Sequence, residues 1–164
     1  MPTLVARIAL AGAEEEVPAA RRQVVDQVRA WGIPLDDETT DAIRLIASEL
    51  ITNAVVHGQG TVTIWLHYQP GRLVIEVFDG NGLAPLMGCA GSADESGRGL
   101  ALVDLLAVRS GWQSVEHGKR VWAEVALPKP VPAMRVEVLR KFFMARFNLN
   151  VSTSSRWQLT LAVA

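Results

Sequence analysis

The pattern of apolar and polar positions along the chain predicts helices and β-hairpins rather than β-α-β units. Residues 1–128 are expected to form a strand, two helices, a hairpin, a long loop, a third helix and a second hairpin. This order predicts an α+β fold arranged as a two-layer sandwich. The predicted strands are Thr3–Leu10, Thr61–Tyr68, Leu73–Phe78, Gly111–Glu116 and Arg120–Leu127. The predicted helices are Ala19–Trp31, a segment from an N-cap at Asp36 or Asp37 to a C′ glycine at Gly58, and Leu100–Val108.

The second predicted helix carries an apolar stripe with two polar residues beside it. On a count of about 100° per residue, Asn53 falls inside the stripe and Glu49 falls at its edge. An amide and a carboxylate directed towards the core need partners, because unpaired buried polar groups are costly. A bound metal and phosphate would supply such partners. The stripe consists of Ile43, Ile46, Leu50 and Ala54, and the predicted solvent-facing residues are Asp41, Arg44, Ser48 and Thr52.

Two segments differ from the rest of the chain. Gly80–Gly97 contains five glycines and several small residues, which is typical of a mobile loop. After Pro128 the prolines form a stiff break, followed by a predicted helix at Val136–Phe147 and a strand at Trp157–Val163. We therefore divide the chain into a domain of residues 1–128 and an extension of residues 129–164. The pattern of the extension is compatible with packing on the domain, with dimer formation and with partner binding.

The composition limits the function classes. An apolar fraction of 49% and a charged fraction of 20% are those of a globular protein, and no apolar run approaches a membrane span. The single cysteine, Cys89, excludes an internal disulfide and disfavours a zinc site. The start of the chain, with Arg7 and then Glu14–Glu16, does not resemble a signal peptide. We therefore expect a cytoplasmic protein.

Charge is distributed unevenly between the two parts of the chain. Residues 1–128 contain 10 Lys and Arg against 16 Asp and Glu, which gives −6, whereas residues 129–164 contain 6 against 1, which gives +5. A basic face of this size is more often simply solvated than bound to nucleic acid. The tryptophans on predicted strands, Trp65, Trp112 and Trp122, do not interleave with basic residues. We expect them in the core or on a sheet face, and we do not expect direct nucleic-acid binding.

Three short motifs follow one another along the predicted domain. They are Glu49–Gly58 (ELITNAVVHG), Asp79–Gly82 (DGNG) and Gly97–Leu100 (GRGL). Their order and spacing resemble the nucleotide-binding domain shared by gyrase-type topoisomerases, heat-shock chaperones and sensor histidine kinases, the GHKL ATPases. The small stand-alone anti-sigma-factor serine kinases are the most similar members, over roughly Ala19–Leu127. The resemblance implies a mostly antiparallel sheet covered on one face by helices, with a mobile ATP lid.

The resemblance also implies roles for the residues on the phosphate side of the site. Asn53 would bind Mg²⁺ through its carbonyl oxygen while the ion bridges the nucleotide phosphates. Glu49 would orient and deprotonate the attacking hydroxyl or water. His57 occupies a position where these kinases often have histidine, although a favourable charge at a helix end is an equally good explanation.

The other two motifs would bind the base and close over the phosphates. Asp79 would accept a hydrogen bond from the adenine amino group, with Gly82 in the same turn. Gly97, Gly99 and Leu100 would bring backbone N–H groups at a helix N-terminus close to the phosphates. Arg98 lies between the two glycines. Its side chain could contact the phosphates or face solvent, and we favour the solvent-facing position.

Two departures from the family pattern both fall on the adenine side. The family pattern is Asp-x-Gly-x-Gly, but Asp79 is followed by Gly80, Asn81, Gly82 and Leu83, so both glycines are displaced. Asn81 tolerates the left-handed conformation that the first glycine would adopt. In the last hairpin the family has a threonine near the adenine, and we assign Arg120 to that position.

The leading hypothesis is an ATP- and Mg²⁺-dependent regulatory serine kinase that binds a sigma factor and phosphorylates an anti-anti-sigma antagonist. Relatives of this type pair as dimers, so a homodimer is possible. The main alternative is a protein-binding regulator, nucleotide-responsive or nucleotide-independent, without kinase activity, which the two departures favour. A weaker alternative is a detached histidine-kinase half, but no dimerisation helix with a phosphoacceptor histidine precedes the domain.

Overall fold

The computed structural model describes residues 3–85 and 98–128, apart from the side chain of Arg98. Within this part of the chain five strands form one sheet, and every neighbouring pair is antiparallel. The strands are β1 (Leu4–Leu10), β2 (Val62–Gln69), β3 (Arg72–Asp79), β4 (Arg109–Val115) and β5 (Gly118–Ala126). Their order across the sheet is β1-β2-β3-β5-β4, so the two hairpins meet along β3 and β5.

Three helices complete the described fold, and a short 3-10 turn at Glu14–Glu16 leads into the first of them. They are α1 (Val17–Ala30), α2 (Asp37–His57) and α3 (Arg98–Leu106). Helix α2 contacts both other helices and packs on β2, β3 and β5. The expectation of an α+β two-layer sandwich with an antiparallel sheet under helices is therefore confirmed.

The core lies between α2 and one face of the sheet. All four stripe residues of α2 are buried, as their spacing predicts. Three of the four predicted solvent-facing residues are exposed, whereas Ser48 is half-buried and its hydroxyl accepts a hydrogen bond from Arg21 at 3.4 Å. The buried apolar sheet residues that face the helices are Leu10, Val62, Ile64, Leu66, Leu73, Ile75, Val77, Val121, Ala123 and Val125.

Helix α2 begins with an N-cap at Asp36, as the sequence suggests. The Asp36 carboxylate accepts a hydrogen bond from the backbone N–H of Thr39 at 2.7 Å, which satisfies one of the free donors of the first turn. Hydrogen bonds from Thr39, through its side chain first and its backbone second, lower the pKa of Asp36. Asp37 and Glu38 follow in the first turn, where negative charge is favourable.

The other end of α2 differs from the prediction. Gly58 is the C-cap residue, but its backbone is extended (φ −84°, ψ −170°) rather than left-handed. Glycine is required here for space, because a Cβ atom would lie 2.8 Å from Cβ and Cγ of Asp79 and would collide with the carbonyl oxygen of Ala54. Because Gly58 has no side chain, the end of α2 can pack against the end of β3.

The second face of the sheet carries aromatic and charged side chains. Trp65 and Trp122 are half-buried there, and each has an arginine guanidinium over its ring, Arg7 at 5.8 Å and Arg120 at 5.9 Å. Trp112, on the edge strand β4, is opposite Val121 and therefore lies on the helix-facing side, where it is 44% exposed. The expected sheet-face positions of Trp65 and Trp122 are confirmed.

Several elements differ from their predicted bounds or cannot be compared. Helix α3 begins at Arg98 rather than Leu100, and β4 begins at Arg109 rather than Gly111. Residues 86–97 of the predicted lid loop, Gly80–Gly97, and the predicted elements Val136–Phe147 and Trp157–Val163 lie outside the described residues. The boundary at residue 128 stays a prediction. Among the helices described, none combines the length and apolar character needed to span a membrane.

Candidate functional site

A small cavity opens where the second half of α2 meets the start of α3. Its volume is about 210 Å³. It is lined by residues of two of the predicted motifs together with their neighbours: Glu49, Thr52, Asn53, Val56, His57, Gly99 and Leu100. The fold therefore brings the first and third motifs together, although 38 residues separate the end of one from the start of the other.

Asn53 supplies an unpartnered polar atom to this site. The residue is 7% exposed, in agreement with its place in the stripe, and its Oδ1 atom is buried with no hydrogen-bond partner among the described residues. A buried acceptor of this kind is costly unless something binds to it. A neutral amide oxygen is a suitable ligand for Mg²⁺, which is usually held by one or two protein oxygens together with phosphates and water.

Mg²⁺ held mainly by a nucleotide fits this chain better than a metal held by the protein alone. Within residues 3–85 and 98–128, no three His, Cys, Asp or Glu side chains are placed to hold an ion together. Asn53 would thus be the protein ligand, and phosphate oxygens would supply further coordination. The residues present fit the ion that the resemblance implies.

Glu49 lies one helical turn before Asn53 and contacts the start of α3. Its side chain is half-buried, and a Cβ atom at Gly99 would lie 2.9 Å from its Cδ and would collide with Oε2. Glycine at this position therefore allows the carboxylate to approach the helix N-terminus, where negative charge is favourable. The Glu49 carboxylate is thus held at the start of α3, in the cavity that Asn53 also lines.

The Asp79 turn is closed by asparagine in place of the displaced glycines. Asp79 is 4% exposed, and its Oδ1 accepts a hydrogen bond from the N–H of Asn81 at 2.9 Å. Oδ1 of Asn81 accepts from the N–H of Leu83 at 3.1 Å, and its Nδ2 donates to the carbonyl oxygen of His57 at 2.7 Å. The turn is consequently tied to His57, the last residue of α2, which lines the cavity together with Asn53.

Lys119 is the site residue that the sequence reasoning missed. It is directly opposite Asp79 in the register of β3 and β5, and it is 1% exposed. Its Nζ donates to Oδ1 of Asp79 at 3.0 Å and to the carbonyl oxygen of Asn81 at 3.4 Å. Gly118 allows this approach, since it has a φ of +137° and a Cβ atom there would collide with the Asp79 carbonyl oxygen.

The assignment of Arg120 to the adenine side is therefore wrong. Its guanidinium lies on the second face of the sheet, where it pairs with Glu76 and donates to Gln113 at 3.3 Å. Strand alternation provides the signal that would have given the correct residue. Because Val121 faces the core, Lys119 must face it too, and Arg120 must point away.

The remaining predicted site residues are placed as follows. His57 and Leu100 are half-buried and line the cavity with Asn53. Gly82 is exposed, and a Cβ atom there would make only ordinary contacts, at 3.6 Å from the carbonyl oxygen of Gly118 and 3.8 Å from Oγ of Ser114. Arg98 begins α3, but its side chain and the whole of Gly97 lie outside the described residues. The nucleotide-binding roles of these residues stay predictions.

Comparison with known proteins identifies the family. A family model described as the histidine kinase-like ATPase domain matches residues 10–125, which is more than half of the chain and contains all the described site residues. No curated protein matches the chain. Membership of this family implies ATP binding, typically with Mg²⁺, and a regulatory role. The chain therefore belongs to the histidine kinase-like ATPase domain family.

Proposed function

We propose that the protein is an ATP- and Mg²⁺-dependent serine kinase of the anti-sigma type, which binds a sigma factor and phosphorylates an antagonist protein on serine. The observation that carries this proposal is the buried Oδ1 of Asn53, which has no partner within residues 3–85 and 98–128 and shares a cavity with Glu49. The metal of a bound nucleotide would be the partner for the Asn53 Oδ1 atom. A serine hydroxyl would provide the proton that Glu49 accepts when it acts as a base.

The reaction requires positioning more than covalent chemistry by the protein. The bond between the γ-phosphorus and the bridging oxygen of ATP breaks, a bond from phosphorus to the serine Oγ forms, and Glu49 accepts the hydroxyl proton. The α3 N-terminus offers N–H groups and a positive dipole end towards the phosphates. Mg²⁺, when bound, neutralises charge on the phosphate oxygens.

The substrate serine would come from the partner protein. The cavity beside Glu49 is open on the side of Thr52 and Val56, both of which are exposed. A loop carrying a serine can approach there. The sigma factor, the antagonist and a homodimer are all part of the proposal and follow from the similarity to anti-sigma kinases.

Glu49 provides the sharpest test of the kinase activity. We expect Glu49→Gln to lower phosphate transfer to the antagonist by about 10²–10⁴-fold, the usual contribution of a general base. ATP affinity should change little, because the substitution keeps the size of the side chain and removes only the basic carboxylate. Glu38→Gln, the same change at an exposed position of α2 away from this cavity, is the matched control. Unchanged transfer in Glu49→Gln would refute the role of Glu49.

A second candidate function is a protein-binding regulator that does not transfer phosphate. The buried Lys119–Asp79 pair favours it, because Lys119 already occupies the carboxylate that the family uses for adenine. This regulator would hold its partner equally well with and without ATP. Partner affinity that is unaffected by ATP and by Asn53→Ala would support this function over the kinase.

A further inference from the structure

The base side named by the resemblance, which consists of the Asp79 turn and Lys119, is closed to ligands in this structure. The side chain of Asp79 has 0% of its surface exposed and that of Lys119 has 1%. Neither residue lines the Asn53 cavity or the apolar cavity that shares Leu100 with it. A base could hydrogen-bond to this carboxylate only if a buried ion pair opened, which is costly. The base of a nucleotide bound at Asn53 therefore needs a different place.

The apolar cavity lies beside the Asn53 cavity, between α3 and the β4–β5 hairpin, and its volume is about 220 Å³. Leu100 lines both cavities, and Leu50, three residues before Asn53 on α2, lines the apolar one. Val103 and Val121 are also among its lining residues. A nucleotide is divided in the same way, because its phosphates are charged and the faces of its base are flat and largely apolar. With the phosphates and metal at Asn53, the base can leave water in the apolar cavity.

Trp112 is the aromatic residue of this cavity that is free to stack. It lies on the helix-facing side of the edge strand β4 and is 44% exposed. The other described tryptophans, Trp31, Trp65 and Trp122, each lie near an aromatic ring or an arginine guanidinium. Within residues 3–85 and 98–128, Trp112 has neither kind of partner. Such a ring can stack on a flat base, which is favourable beyond the burial of apolar area.

We propose that Trp112 binds the base of the nucleotide by stacking, in the cavity between α3 and the β4–β5 hairpin, and that the Lys119–Asp79 pair does not bind the base. This inference rests on the proposed nucleotide site and deepens it by naming the residue that contacts the base. Stacking requires no hydrogen bond from the cavity, and its serine and its carboxylate, Ser110 and Asp104, already hydrogen-bond to each other. Lys119 and Asp79 then have a structural role, which is to join β5 to the turn after β3.

The test compares ATP with tripolyphosphate, which has the phosphates but no base, by calorimetric titration of the full-length protein in the presence of Mg²⁺. We expect Trp112→Ala to weaken ATP binding by about 5- to 150-fold, the usual contribution of a base stacked on an aromatic side chain. Binding of tripolyphosphate should stay unchanged. Trp65→Ala, on the second face of the sheet, is the matched control and should change neither affinity. Equal weakening of both ligands in Trp112→Ala would show a purely structural role and refute the inference.

A second variant, Trp112→Phe, keeps the test decisive if Trp112→Ala does not fold. It retains an aromatic ring, so ATP should still bind. The quenching of tryptophan emission that a stacked base causes in the wild type should, however, be largely lost. Quenching that persists undiminished in Trp112→Phe would refute the inference.

Two outcomes separate this inference from the proposed function. ATP binding that Asn53→Ala abolishes but Trp112→Ala leaves intact would refute the inference and retain the nucleotide site. Absence of ATP binding by the wild type would refute the proposed kinase and this inference together. Loss of ATP affinity in Trp112→Ala, with tripolyphosphate bound as before, would support both.

Discussion

The two halves of the candidate site are built in different ways. The phosphate side consists of one helix and one helix N-terminus, and Glu49, Asn53 and Gly99 all match the family pattern. The base side consists of a turn and two paired strands, and it departs from the pattern at Leu83 and Lys119. The comparison indicates that the proposed phosphate side keeps the residue types of the family motifs, whereas the proposed base side departs from them.

The two halves of the site also differ in their electrostatics. On the phosphate side a buried acceptor has no partner among the described residues, so a ligand would gain by binding there. On the base side the principal acceptor already has a buried cation as partner. A ligand must therefore bind to an ion pair rather than to a free carboxylate, and breaking that pair is expected to be costly.

The largest expected effect on stability comes from breaking the Lys119–Asp79 ion pair on the base side. Lys119→Met should lower the free energy of unfolding by about 3–5 kcal/mol, because it leaves the Asp79 carboxylate buried without its cation. Chemical denaturation of both proteins measures this difference. Adding Asp79→Asn should recover part of the loss. Arg120→Met, which breaks an ion pair on the partly exposed second face, should cost at most about 1 kcal/mol. Equal losses in the two single variants would contradict the structural role of Lys119.

A smaller loss is expected where α2 meets the base side. Gly58→Ala should destabilise the protein by about 1–3 kcal/mol, because the new methyl group would press on Asp79 and on the Ala54 carbonyl oxygen. Gly32→Ala is the control. Its φ of +73° makes any side chain there strain the backbone, but the new methyl group would have no atom within 4 Å, so the variant measures backbone strain without overpacking. Thermal or denaturant unfolding compares the two. A harmless Gly58→Ala would show that the contact between α2 and β3 is loose.

On the phosphate side, Gly99→Ala separates catalysis from stability. The new methyl group would push aside the flexible end of Glu49 rather than backbone atoms. We expect phosphate transfer to fall by about ten- to hundredfold, the usual result of misplacing a catalytic group by roughly 1 Å, while the unfolding midpoint hardly moves. Transfer assays and thermal unfolding of the same preparation test this. A stable variant with full phosphate transfer would show that the contact with Gly99 does not position Glu49 for the reaction.

The smallest expected effect lies outside both halves, at the N-cap of α2. Asp36→Ala should lower the thermal midpoint slightly at pH 7, because the Thr39 N–H loses its acceptor. The folded-state pKa of Asp36 is lowered, so its contribution is complete above the unfolded-state pKa and is lost as pH falls through the folded-state value. The difference from wild type should therefore vanish in acid. Asp37→Ala, which removes charge but no cap, is the control, and a difference that persists in acid would contradict the cap.

Most of the fold and the phosphate side could be predicted from the sequence because their signals are local. Helix periodicity alone places Asn53 in the stripe and Glu49 beside it, and Asp36 marks the start of α2. The contact between Glu49 and Gly99 could not be predicted in this way, because it joins residues 50 positions apart.

The base side was predicted less well because its geometry depends on register between strands. Lys119 meets Asp79 only because β3 and β5 pair in one particular alignment, and a shift of one residue would have placed Arg120 there instead. Gly58 was identified correctly as the helix end, but for the wrong reason: crowding by Asp79, rather than a left-handed backbone, requires the glycine. Such requirements appear only when distant segments are in contact.

The most direct test of the central claim is titration of the full-length protein and of Asn53→Ala with ATP and Mg²⁺. The account predicts saturable binding to the wild type and a loss of at least about hundredfold in Asn53→Ala, which lacks the buried amide that would hold the metal. Asp41→Ala, at an exposed position of the same helix away from the cavity, should bind as the wild type does. Wild-type binding that Asn53→Ala leaves intact, or no binding at millimolar ATP, would contradict the claim that Asn53 is the centre of a nucleotide site.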